Sequence, residues 1–105
     1  MQKFNDVLQT LDNTDHVQRI ELFSADGQSV GVIENKPGSH GSVKIYHYLY
    51  KMYGEITTDA AVEGIELYAE HSEDAENNPG KHPNIDRLFN VLEHEQPLQI
   101  KIISH

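Results

Sequence analysis

Apolar positions recur along the chain with two different periods, and the changes of period mark the elements. Residues 2–12 carry Phe4, Val7, Leu8 and Leu11 at the i, i+3, i+4, i+7 spacing of a helix that buries one stripe. Asn13, Thr14 and Asp15 end it with residues that favour turns and caps. From Val17 the pattern turns β-like. Val17, Ile20, Leu22 and Phe23 form one run, and Val30, Val32 and Ile33 form a second. Asp26-Gly27 lies between them, and this dipeptide tolerates the positive φ of a tight hairpin turn. The prediction is a hairpin of Val17–Phe23 with Val30–Ile33, and Gly31 inside the second strand implies a bulge or a close backbone approach.

Residues 35–42 read as a loop rich in Gly, Ser and Pro. The next segment, Val43–Tyr53, fits either period. As a helix capped by Ser42 it places Ile45, Tyr48, Leu49 and Met52 on one face, with Gly54 as its stop. As a strand, Val43, Ile45, His47 and Leu49 alternate with Lys44, Tyr46, Tyr48 and Tyr50. Length and the terminal glycine favour the helix, with the state of Val43–Tyr46 left open.

Thr57 and Thr58 open a long acidic helix whose apolar side carries Ala61, Val62, Ile65, Tyr68, Ala69 and Ser72. Leu67 falls among the acids of the other side, and with Tyr50 it marks a candidate contact face for a partner or a second copy. Asn77-Asn78-Pro79-Gly80 stops that helix, and Pro83 suits the first position of another, striped by Ile85, Leu88, Phe89 and Leu92. After Pro97, the residues Leu98, Ile100 and Ile102 alternate as a half-buried strand. The fold expected is a single α+β domain over residues 1–105. It runs N-terminal helix, β-hairpin, three helices and a C-terminal strand that completes a small antiparallel or mixed sheet.

Charge narrows the partners. The chain has 17 acids against 8 bases, a net charge of −9. Such a balance repels phosphate backbones and anionic lipid, so neither nucleic acid nor a membrane is an expected partner. Between Lys51 and Lys81 stand Glu55, Asp59, Glu63, Glu66, Glu70, Glu73, Asp74 and Glu76 with no Lys or Arg. There is no cysteine, which removes disulfide, thiolate-metal and thiol chemistry. No basic start followed by an apolar run suggests a secretory signal, so the cytoplasm is the expected compartment.

The densest chemistry lies at the corner between the last two helices. His71 and Asp74 are three apart on one helix, and His82 and Asp86 begin the next. Imidazole and carboxylate together suit a divalent metal, or general acid and base, although no specific motif spacing is present. The plainer reading has His71 at a boundary, His82 as a cap and Asp86 paired with Lys81 or Arg87. Two places also offer helix N–H groups to an anion: the Gly38-to-Ser42 loop and the turn after Pro83. The acidic segment favours a cation over an anion at the corner. Two classes follow: a protein-interaction or regulatory module, and a metal- or small-ligand-binding protein, with the first favoured because the chain lacks convergent catalytic groups.

Several stretches also resemble a known family. They are Ile33-Glu34-Asn35-Lys36-Pro37-Gly38, Gly41-Ser42-Val43, Tyr46-His47, Glu70-His71-Ser72-Glu73-Asp74-Ala75 and the run from Pro79 to Leu88. The family is one of short bacterial proteins known as a domain of unknown function. The resemblance implies a stand-alone bacterial domain and lends no reaction, ligand or catalytic residue.

Overall fold

The computed structural model describes residues 3–105; Gln2, the first residue of the expected N-terminal helix, lies outside them. Among the described residues nine elements follow one another: α1 (Phe4–Gln9), β1 (Val17–Phe23), β2 (Ser29–Glu34), α2 (His40–Tyr53), β3 (Glu55–Ile56), α3 (Thr58–Leu67), α4 (Glu70–Asn77), α5 (Pro83–His94) and β4 (Leu98–Ser104). The architecture is α+β, as the periodicity implied. The strands form one antiparallel sheet in the order β2-β1-β4-β3.

The hairpin and the last strand stand where the alternation placed them. β4 lies beside β1, with Ile102 opposite Ile20 and Ile100 opposite Leu22. The register of β1 with β2 shifts after Leu22, so that Phe23 faces Ser29 and Val30 is skipped. Gly31 also meets a close neighbour, because a Cβ there would fall 2.4 Å from Arg87 Nη2. Ile20, Leu22 and Ile33 turn into a core completed by Val43, Ile45, Tyr46 and Leu49 of α2 and by Ile85, Leu88 and Val91 of α5.

The structure corrects several expectations. The ambiguous segment is wholly helical and starts at His40, with Ser39 rather than Ser42 at its N-cap and Gly54 (φ 78°) as its C-cap. Its buried stripe is Val43, Ile45, Tyr46 and Leu49, whereas Met52 is 60% exposed. α1 ends at Gln9 because Thr10 Oγ1 donates to the Val7 carbonyl, closing the last turn three residues early. A short strand not foreseen, β3, pairs Glu55 and Ile56 with Gln99 and Leu98 of β4.

The largest correction is to the long acidic helix, which breaks in two, so four helices follow the hairpin rather than three. Ala69 takes φ 54° and ψ −124°, outside the helical region, and Ser72 Oγ donates to the orphaned Ile65 carbonyl at 2.6 Å. The break resets the helical phase. Tyr68 is buried at 3% exposure, Leu67 is partly buried against the core, and Val62 of the expected apolar side is 45% exposed. Among the described residues, no helix is long and apolar enough to cross a membrane.

Candidate functional site

The expected corner forms, around Asp74. His82 Nε2 lies 2.6 Å from Asp74 Oδ2, and Lys81 Nζ lies 3.0 Å from the same oxygen. A carboxylate cannot donate, so the His82 ring nitrogen carries the proton in this contact. The hydrogen bonds from His82 and then Lys81 hold the Asp74 carboxyl down to about 2. The His71 ring stands 5.7 Å from the His82 ring, centroid to centroid, and meets Phe4 edge-on at 4.7 Å. Asp86 is directed elsewhere. Its Oδ2 accepts from the Gly80 N–H at 2.9 Å and fixes the Pro-Gly turn, in place of the expected pairing with Lys81 or Arg87. Among the described residues, no group of three or more His, Asp or Glu side chains stands in metal-holding geometry.

On the other side of His71 and His82 the chain leaves a cleft of about 350 Å³. The N-terminal turn of α2 supplies Ser39, Gly41 and Ser42, and that of α5 supplies Pro83, Asn84 and Ile85. Neither helix has a side-chain cap. In α2 this leaves the N–H groups of His40, Gly41 and Ser42 without a capping side chain, whereas in α5 Pro83 has no N–H and Ile85 donates to the His82 carbonyl, so Asn84 alone offers a free first-turn N–H. Lys81, His71 and His82 bring basic side chains to the rim, and among the described residues no carboxylate lines the cleft.

The far wall is aromatic. Phe4 stacks on Tyr68 with centroids 5.6 Å apart, and its ring presses on Gly41 so closely that a Cβ there would lie 2.7 Å from Phe4 Cζ. Glu70 holds this wall in place, its Oε1 accepting from the Phe4 N–H at 2.7 Å, and that bond draws the Glu70 carboxyl below its ordinary range. Tyr68 donates to Ser42 Oγ at 2.7 Å, and burial keeps its phenol neutral far above its usual range. Because Ser42 accepts from Tyr68, the Ser42 hydroxyl proton is free to point into the cleft. Beneath, Tyr46 donates to the Asn84 carbonyl at 2.5 Å, and Arg87 Nη1 donates to Asn84 Oδ1 at 2.9 Å. The Tyr46 bond ties the start of α5 to the middle of α2, and the Arg87 bond lies within α5.

His71, Asp74 and His82 are thus brought together, and Asp86 stands one turn away, engaged with the backbone. Leu67 and Tyr50 lie off the corner, Leu67 partly buried and Tyr50 40% exposed. Local sequence reasoning assigned no binding role to Lys81, Tyr68 or Phe4. The signals that pointed this way were the two separate hints of free helix N–H groups, whose convergence depends on α2 meeting α5.

No curated protein and no solved structure matches the chain. The family model described as an uncharacterized protein conserved in bacteria (DUF2322) matches residues 4–102, nearly the whole length, and so the chain belongs to that family.

Proposed function

We propose that this protein is a cytoplasmic regulatory module whose cleft between α2 and α5 holds a small anion, most simply the phosphate group of a phosphomonoester. One observation carries the reading. In a chain of net charge −9, no carboxylate among the described residues lines the cleft, which gathers His71, the Asp74-bound Lys81 and His82, and the first turns of two helices. Helix N-termini favour anions through free N–H groups and the helix dipole. Serine hydroxyls and a lysine add donors on further sides, which suits the several oxygens of a phosphate better than the two of a carboxylate. A volume of about 350 Å³ admits a small metabolite.

The test is a titration with inorganic phosphate followed by amide and imidazole NMR signals. Shifts at residues 40–43, at Asn84 and in the rings of His71 and His82 are expected, with His16 and His94 unmoved. Lys81→Ala should weaken the response about tenfold, as expected for the loss of one charge-assisted hydrogen bond. A response spread evenly over all histidines, or none at all, would sink the reading.

A divalent cation held by His71, Asp74, His82 and Asp86 is the second reading, favoured by the close Asp74–His82 pair and the neighbouring His71 ring. Such an ion has to displace the Lys81 ammonium from Asp74 and to draw Asp86 from Gly80. Zn²⁺ that shifts His71 and His82 together, where phosphate does not, selects it. In either reading a protein partner, or a second copy, reads the state of the module from an exposed surface such as that around Tyr50.

A further inference from the structure

The two edges of the sheet are finished differently. β3, at one edge, is two residues long and exposes almost no backbone to pairing. β2, at the other, runs six residues, Ser29–Glu34, with neither proline nor lysine to block it. Val30 and Val32 on this edge are 43% and 48% exposed. Beside it lies a groove of about 550 Å³ between the end of the hairpin and α5, lined along the helix by Pro83, Asp86, Arg87, Asn90 and His94, with the Asp86 carboxylate already bound to the Gly80 N–H. These positions recur at helical spacing, so one stripe of α5 forms the wall. Leu98 and Val91 make the groove apolar at depth.

Arg87 supplies the polar specificity. Its guanidinium lies against the Gly31 backbone and bonds to Asn84, and among the described residues no carboxylate is within ion-pairing distance. A partly buried guanidinium without a carboxylate is an electrostatic vacancy for one. Gly31 admits it, since any side chain there would displace the Arg87 head.

We propose that β2 and α5 form a docking groove for an extended segment of a partner protein. The segment adds as a fifth strand to β2, with small apolar residues at alternate positions and one acidic side chain reaching Arg87. Strand addition satisfies the free backbone groups of the edge, and the side chains of every second residue fall into the groove. A second copy of this chain cannot fill it in the same way. Its own β2 directs Ile33, 2% exposed, into its own core, and that strand has no inward side chain to spare. The groove shares Pro83 with the anion cleft, and Arg87 bonds to Asn84, but strand addition at β2 needs no anion in the cleft, so phosphate and peptide titrations test the two readings separately.

The experiment uses the whole protein and a short blocked peptide alternating valine and threonine around one central glutamate, followed by amide NMR and fluorescence anisotropy. Saturable shifts are expected along Ser29–Glu34 and on the groove face of α5. Replacing the peptide glutamate with glutamine should weaken binding about tenfold, the loss of a charge-assisted hydrogen bond. Arg87→Met should do the same while Arg87→Lys keeps part of the affinity. N-methylation of alternate peptide amides, which leaves the protein untouched, should abolish binding in one of the two registers and spare it in the other. Equal binding of the glutamate and glutamine peptides overturns the proposal, and so do shifts that miss β2. A protein that is already dimeric by light scattering, with β2 amides protected from exchange without peptide, overturns it too, because the edge is then taken by a second copy.

Discussion

Asp74 accepts from His82 and Lys81 on the same oxygen, and these two hydrogen bonds favour its charged form and so lower its pKa. The consequence for stability has a definite sign. The carboxyl titrates near 3.8 when unfolded and at about 2 when folded, so its contribution is full above the unfolded value. It is lost as pH falls through 3.8 toward 2. Asp74→Asn preserves volume and one acceptor but removes the charge. Urea unfolding should therefore find the variant less stable than the parent at neutral pH, with the difference closing across that acidic window. A gap that persists below it would mean the loss comes from packing and not from the ion pairs. The same substitution frees Lys81 and His82, so it separates their role in positioning from their role in binding.

The elements most legible in the sequence were those defined by local rules. Alternation bounded by Asp26-Gly27 announced the hairpin, and Leu98, Ile100 and Ile102 announced the strand that completes the sheet. The break between α3 and α4 had no such marker, because Ala69 is a good helix former and the apolar stripe continues through it. Tertiary contacts impose the break. Tyr68 turns inward to reach Ser42, and α4 swings back so that His71 meets Phe4. Alanine at φ 54° and ψ −124° is strained, since that region suits only residues without a Cβ. Ala69→Gly should thus stabilise the protein by about 1 kcal/mol, the relief of strain exceeding the entropy that glycine adds to the unfolded chain. An increased urea midpoint at unchanged slope is the expected readout. A decrease would show that continuity of the helix, and not the turn, limits stability here.

At the scale of the whole molecule, charge and cleft pull in opposite directions. The acidic excess made a cation the natural expectation for the corner, and at the level of the segment from Lys51 to Lys81 that inference is sound. It misses that the acids fall outside the cleft lining, while Ser42 and Asn84, distant in sequence, are brought to the same cleft by the packing of α2 and α5. That convergence is a long-range property, and no window of sequence contains it. It also sets a test in which salt acts with two signs. A net charge of −9 repels itself, so raising ionic strength from low salt to about 0.15 M, where charges beyond roughly 8 Å are screened, should raise the melting temperature. Phosphate affinity should fall over the same range, because its attraction to Lys81 and the imidazoles is screened as well. Lys81→Ala should keep the first response and lose most of the second. Should the melting temperature fall instead, the half-buried pair Arg19–Glu21 and the exposed pairs Lys51–Asp12 and Lys81–Asp74 would outweigh the repulsion of the acids, against the small worth that exposed pairs usually have.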